Sequence, residues 1–77
     1  MGGIPRPRPC FLDSCDSFGE RNGEKVWRSK DKTRLYTWDS LHGEIEMYND
    51  RGIHLGVLEP VNGYAVKPAK KGRKIDV

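Results

Sequence analysis

The sequence predicts a small, mainly β fold (at most α+β): a single highly twisted antiparallel sheet preceded by a short N-terminal helix or loop segment. Two observations carry this. Apolar and aromatic residues alternate with polar ones in short runs, at 34–38, 44–48 and 53–58, which is the period of a strand with one face buried. The runs are separated by clusters of Asn, Asp, Gly and Pro, which supply the positive φ values and preset angles of tight turns. Short strands joined in this way form a twisted antiparallel sheet or a small barrel.

The chain opens MGGIPRPRP. Prolines at alternate positions fix φ and disfavour helix in the residues before them, so residues 3–9 are extended. They read as a linker rather than as a natural N-terminus or a proline-rich recognition ligand. Residues 10–24 mix CFLDSCDSF with GERNGE and predict one short helical turn followed by a loop. The β pattern sets in at Lys25. Arg34-Leu35-Tyr36-Thr37-Trp38 alternates and is rich in aromatics; Glu44-Ile45-Glu46-Met47-Tyr48 alternates more clearly; Ile53 to Leu58 is a third run. Asn49-Asp50-Arg51-Gly52 supplies hairpin chemistry between the last two, and Pro60-Val61-Asn62-Gly63 supplies another turn before Tyr64-Ala65-Val66. A helical rival exists for residues 41–48, because Leu41, Ile45 and Tyr48 fall at i, i+4, i+7 behind an Asp39 or Ser40 N-cap. Gly43 inside it would cost about 1 kcal/mol, and the hairpin signal downstream also favours the strand. Residues 1–24 are therefore read as an extended Pro-rich linker and N-terminal segment, and residues 25–77 as the functional domain.

Composition bounds the function. With 77 residues, 35% hydrophobic and 32% charged, the chain makes one lean domain, burying only about 60% of its unfolded surface. No apolar run approaches the roughly 20 residues of a membrane-spanning helix, and the Pro-rich start is not a signal peptide. Cys10 and Cys15 could pair, but no second Cys or Cys/His pair completes a tetrahedral metal set; two ordinary thiols are the simplest reading. The net charge is +3, and its layout says more than its sum. Lys25, Arg28, Lys30, Lys32 and Arg34 face only Asp31 within residues 25–36, and Lys67, Lys70, Lys71, Arg73 and Lys74 face only Asp76 within residues 67–77. Basic flanks of this kind suit a polyanion, although a solvated surface would show the same counts.

Between the flanks lies an acidic knot around a histidine: Asp39, His42, Glu44 and Glu46, with no Lys or Arg among residues 39–50. On a strand, Glu44, Glu46 and Tyr48 share one face while Ile45 and Met47 point into the core, and Asp39 and His42 lie in the turn that feeds it. Carboxylates beside an imidazole at the mouth of a basic groove suit RNA cleavage. One group takes the proton of the attacking ribose 2′-hydroxyl, and the imidazole returns one to the leaving 5′-oxygen. A cation then stabilises the phosphorane. The bland alternative is a solvent-facing pair of glutamates and an idle histidine. A metal site of Asp39, His42, Glu44 and Glu46 lacks fixed ligand spacing. His54 falls on the face opposite Ile53, Leu55 and Val57, where it could join the site or cap the sheet, and it is left out.

The polar identities at fixed spacing also carry a resemblance. WRSKDKTRLYTWDSLHGEIEMY from Trp27, RGIHLGVLEPVNG from Arg51 and GRKI from Gly72 together resemble the C-terminal cytotoxic ribonuclease domain of the ribosome-inactivating colicins and cloacin. The resemblance covers Trp27 to about Ile75, with GIP at 3–5 similar to the linker entering that domain. The segment from Cys10 to Glu24 departs from it, being longer and lacking a dense Lys/Gly run. The resemblance implies a twisted antiparallel sheet and metal-independent cleavage of small-subunit (16S) ribosomal RNA at the decoding site, with no cofactor. It implies a catalytic set of Asp39, His42, Glu46 and Arg73, with Glu44 accessory. Lys30, Lys32, Arg34, Lys70, Lys71 and Lys74 are then expected to hold RNA. The implied partners are the 30S ribosomal subunit and an acidic cognate immunity protein, with no membrane anchor in this fragment. The implied setting is a larger secreted or cell-surface toxin whose domain acts in the target-cell cytoplasm. The rival from another class is a non-catalytic RNA-binding β-barrel associated with the ribosome, using its Trp and Tyr faces for stacking.

Overall fold

The computed structural model describes residues 3–77; Met1 and Gly2, the start of the stretch read as a linker, lie outside them. A 3₁₀ helix, Phe11–Ser14, precedes six strands: β1 (Asp16–Arg21), β2 (Glu24–Arg28), β3 (Arg34–Asp39), β4 (Glu44–Asn49), β5 (His54–Leu58) and β6 (Ala65–Pro68). They lie in chain order in one antiparallel sheet, each paired with its sequence neighbours. The expected mainly β fold is what forms, with the short N-terminal helix in place. Among the described residues no helix is long and apolar enough to cross a membrane.

Turn chemistry explains the connections. Asn49 Oδ1 accepts hydrogen bonds from the amides of Arg51 at 2.9 Å and Ile53 at 3.0 Å, closing the β4–β5 hairpin. The Glu59 carboxylate does the same for Val61 and Asn62, both at 2.7 Å, ahead of β6. Asp31 ties the β2–β3 turn by accepting from Ser29 Oγ, Thr33 Oγ1 and the Thr33 amide. Those bonds stabilise its ionised form and hold its carboxyl at about 2.

Both faces of the sheet are covered. On one, Trp27, Tyr36, Ile45 and Leu58 pack with Cys10 and Leu12, and the 3₁₀ helix lays Phe11 edge-on to Tyr36, ring centroids 5.4 Å apart. On the other, Val26, Leu35 and Tyr48 pack with Phe18 and Ile75. Burying a side chain such as Ile45 contributes about 1.5–3 kcal/mol, and truncating it to Ala would cost about 2–5 kcal/mol. Cys10 and Cys15 are both free thiols; burial pushes the Cys15 thiol up, the Ser14 hydrogen bond only partly offsetting it.

The structure departs from expectation between residues 15 and 24, where a strand replaces the expected loop. Asp16–Arg21 pairs with β2, but its register shifts between Ser17 and Glu20. Such a bulge inserts a residue and scrambles the alternation by which a strand is recognised. Asn22 at φ 54° and Gly23 at φ 82° form the turn to β2; two positive φ values in succession are what an Asn-Gly pair supports. Nor does the N-terminal stretch hang free, because Ile4 is hydrogen-bonded to the turn after β3.

Candidate active site

The turn after β3 organises the first half of the site. Asp39 ends the strand, and its carbonyl accepts the Gly43 amide at 2.7 Å. Its Oδ1 accepts the Leu41 and His42 amides at 3.0 and 3.2 Å. Its Oδ2 lies 2.8 Å from His42 Nδ1. Partial burial alone would push the Asp39 carboxyl up, but the bonds from the His42 side chain and from the His42 and Leu41 amides outweigh it, holding the group below the usual carboxylate value. An ionised Asp39 can only accept, so Nδ1 of His42 carries its proton. Nε2 points away from that bond, on a ring side chain that is 58% exposed.

Glu46, on β4, supplies the second half. Its register partners are Thr37 on β3 and Val57 on β5, which place it on the face of Val26 and Tyr48, and its side chain is only 6% exposed. His54 Nε2 lies 2.7 Å from Glu46 Oε1, and the Lys70 amide donates to His54 Nδ1 at 2.9 Å. A backbone N–H only donates, so Nδ1 must accept and Nε2 must carry the proton given to Glu46. Oε1 is thereby occupied, while Oε2 takes no bond from the described residues and is not among the buried unpaired atoms. This oxygen is free to accept a proton from a ligand.

His54 reaches this position through a backbone irregularity. The β4–β5 register shifts between Met47 and Tyr48, pairing Met47 with Gly56 but Tyr48 with His54. The bulge removes one step of alternation, so His54 and Val57 line the same cleft rather than opposite faces. The expectation that His54 faces away from Val57 is therefore overturned.

Arg73 arrives from the C-terminal tail, which is fastened along the start of β5. The His54 amide donates to Arg73 O at 3.0 Å, the Ile75 amide donates to Gly52 O at 2.8 Å, and Lys74 bridges Ile53. Gly52 is required there: its φ is +84°, and a Cβ would collide with the Ile75 carbonyl. The result sets Arg73 Nη1 3.6 Å from Glu46 Oε1. Lys67 on β6 donates to Glu44 Oε1 at 2.9 Å, and that bond raises the lysine above its ordinary value. These groups surround a cleft of about 230 Å³ lined by Asp39, His42, Glu44, Glu46, His54, Val57, Lys67, Pro68, Lys70 and Arg73. Asp39, Glu46 and Arg73 also border a second, smaller hollow reaching Trp38, Leu41 and Tyr48.

Of the residues expected at the site, Asp39, His42, Glu44, Glu46, Arg73 and Lys70 are brought together. Lys71 lines a shallow surface hollow with Lys70 and Arg73, and Lys74 lies just beyond it. Lys30, Lys32 and Arg34 are not at the cleft. Arg34 begins β3, about 17 Å from Asp39 along the strand, Lys30 and Lys32 lie in the turn before it, and Lys30 is paired with Asp16 at 2.6 Å. Two cleft residues, His54 and Lys67, were missing from the expected set. Trp27 and Tyr36 are buried in the core and offer no stacking face.

A family model described as Cytotoxic matches residues 17–76. The chain is 42% identical over 50 residues to cloacin of Escherichia coli, covering 64% of this chain and 9% of cloacin. It is 38% identical over 52 residues to Colicin E3 of Escherichia coli, covering 66% of this chain and 9% of that one. Against Colicin-E6 of the same organism the identity is 40% over 50 residues, again 64% of this chain and 9% of the relative. The matched stretch is thus less than a tenth of each relative's length.

Proposed function

The chain belongs to the Cytotoxic family, and on that premise we propose that it is the nuclease unit of a bacteriocin-type toxin. It cleaves small-subunit ribosomal RNA at the decoding site by acid–base chemistry and so stops translation. The observation that carries this reading is the convergence on one cleft of a free carboxylate oxygen, an imidazole held by a carboxylate, and cations at the rim.

The chemistry follows from the proton positions. Glu46 Oε2 takes the proton of the ribose 2′-hydroxyl as its oxygen attacks the adjacent phosphorus. His42, protonated and held through Nδ1 by Asp39, gives its Nε2 proton to the departing 5′-oxygen. The P–O5′ bond breaks, leaving a 2′,3′-cyclic phosphate, a protonated Glu46 and a neutral His42. Arg73 and Lys67 stabilise the charge gathered on the phosphorane oxygens. Lys67 is held by Glu44 until a phosphate competes for it. His54 acts one step back, fixing which oxygen of Glu46 faces the substrate. None of these steps is routed through a metal ion, so cleavage continues in chelator.

Lys70, Lys71 and Lys74 draw RNA to the cleft mouth, whereas Lys30, Lys32 and Arg34 serve a second, more distant contact with the ribosome. Residues 3–9 join the unit to a larger toxin that is secreted or displayed and delivers it into the target cytoplasm. A producing cell must protect its own ribosomes, and the basic rim suits a small acidic immunity protein. The non-catalytic RNA-binding alternative is weaker here: Trp27, Tyr36 and Tyr48 are buried in the core, which leaves Tyr64 and the partly buried Trp38 for stacking, and it gives no role to carboxylates aimed at a polyanion. Incubating the purified chain with intact ribosomes and sizing the small-subunit RNA tests the proposal. One discrete fragment, absent with Glu46→Gln, is expected; intact RNA with the wild-type chain would defeat it.

A further inference from the structure

Ile4 lies far from the catalytic residues in sequence yet grips the turn that carries two of them. Its amide donates to Ser40 O at 2.7 Å, and its carbonyl accepts the Trp38 Nε1 proton at 2.9 Å. One residue is thus tied to the positions immediately before and after Asp39. Its side chain covers Gly43, where an added Cβ would lie 3.2 Å from Ile4 Cδ1 and Cγ2. Gly3 runs so close to Ser40 that a Cβ on it would lie 2.5 Å from Ser40 Cβ. Further along, the Arg6 guanidinium sits over Trp27, 4.8 Å from the ring centre, which anchors the outgoing end on β2.

The inner side of the same turn is held by Asp39 itself, through its bonds to Leu41 and His42. The outer side has no comparable support from the sheet, because β3 ends at Asp39 and β4 begins only at Glu44. Ile4 supplies it. We propose that residues 3–6 form a strap that positions the Asp39–His42 pair for proton transfer, with Ile4 as the positioning residue. This rests on the ribonuclease reading above. The strap is separable from the fold: neither hydrophobic cluster of the sheet includes Ile4, and its side chain is still half exposed. Loosening it should misplace His42 and weaken the bonds that depress Asp39, without unfolding the domain. A displacement of about 1 Å at a catalytic group can cost on the order of 100-fold in rate.

The test compares the wild-type chain, a chain lacking residues 1–6, Ile4→Pro (which removes the amide given to Ser40) and Ile4→Val. Single-turnover cleavage at saturating ribosomes is followed against pH, and amide exchange of Leu41, His42 and Gly43 is measured in the free protein. The truncated chain and Ile4→Pro are expected to lose about 10- to 100-fold in rate. In both, the three amides should exchange faster and the acid limb should move to higher pH as Asp39 loses its hydrogen bonds. Ile4→Val should behave as wild type. A core variant, Val26→Ala, should lower the unfolding temperature while leaving the acid limb in place, which separates positioning from general stability. A wild-type chain that cleaves nothing sinks the ribonuclease reading and the catalytic role of the strap with it. A wild type that cleaves, alongside a truncated chain with the same rate, acid limb and amide exchange, overturns the strap alone.

Discussion

Replacing His54 with Phe removes two hydrogen bonds while keeping the ring. The His54 side chain is 1% exposed and packs edge-on against Tyr48 with ring centroids 5.3 Å apart, a contact that Phe preserves. No sizeable cavity opens, so the cost is polar. The Lys70 amide loses its acceptor and Glu46 Oε1 loses its donor. A buried donor left unpaired costs about 1–3 kcal/mol, and loss of a bond to a charged group about 1.5–3 kcal/mol, so the sum is about 2.5–6 kcal/mol. A domain of this size is stable by roughly 4–12 kcal/mol, so the variant should fold at low temperature and melt early. Its cleavage should fall further than its folding explains, because Glu46 is no longer held with Oε2 toward the substrate. A loss on the order of 10–100-fold is expected from the misplacement alone. His54→Gln, which carries both a donor and an acceptor, should recover part of both losses. The assay is single-turnover cleavage at saturating ribosomes, well below each variant's melting temperature and alongside denaturant unfolding. A folded His54→Phe chain that cleaves as fast as wild type would refute the role of His54 in orienting Glu46.

Three other perturbations have definite outcomes. Arg73→Lys keeps the charge but loses the planar fork, so single-turnover cleavage should drop on the order of 10²–10³-fold with ribosome binding nearly intact, whereas Lys70→Ala and Lys71→Ala should weaken binding and flatten its salt dependence by about one unit of slope each. Lys67→Met should slow the chemical step and free Glu44, and adding Glu44→Gln to it should make little further difference, read from a double-mutant cycle of cleavage rates. The hydrogen bonds from Ser29 and Thr33 lower Asp31 from its ordinary value of 3.8 to about 2 in the folded chain; a depressed carboxyl adds stability that is complete above the unfolded value and lost as pH falls through the folded one. Asp31→Asn should therefore be less stable than wild type at neutral pH, with the difference shrinking between about pH 4 and pH 2 in urea unfolding.

Strands β3 and β4 are legible in the sequence because Ile45 and Met47 alternate with Glu44 and Glu46, and because Leu35, Tyr36 and Trp38 make β3 rich in aromatic and apolar residues, the two strands pairing in an unbroken register. The turns after β4 and β5 are legible through Asn49-Asp50-Arg51-Gly52 and Pro60-Val61-Asn62-Gly63, though the part of Glu59, which accepts from the Val61 and Asn62 amides, shows only in the structure. β1 is hidden by its bulge, although the Asn22-Gly23 pair after it is a hairpin signal in its own right. The same physics conceals His54, since the bulge opposite Met47 and Tyr48 reverses its side, and a pattern of alternation cannot show a skipped step. Asp39, His42, Glu44 and Glu46 are readable because they are close in sequence, on one turn and one strand. Lys67 and the pairing of Arg73 with Glu46 depend on β6 and the tail folding back over β5, contacts made across many intervening residues. The distance of the basic residues at 30–34 from the cleft is not legible for the opposite reason: a charge count does not say at which end of a strand the charges stand.

The central claim is that His42 delivers the proton to the leaving 5′-oxygen while Glu46 removes the one from the 2′-hydroxyl. Sulfur in place of that 5′-oxygen leaves readily without a proton, so it separates the two roles. Once the cleaved bond is known, single-turnover cleavage in EDTA of ribosomes carrying the 5′-thio linkage there is the direct measurement. Loss of a general acid costs about 10²–10⁴-fold on the natural linkage. His42→Ala should show that loss with oxygen and come within about 10-fold of wild type with sulfur. Glu46→Gln should remain inactive on both. A His42→Ala chain equally impaired with oxygen and sulfur, or a Glu46→Gln chain rescued by sulfur, would contradict the assignment.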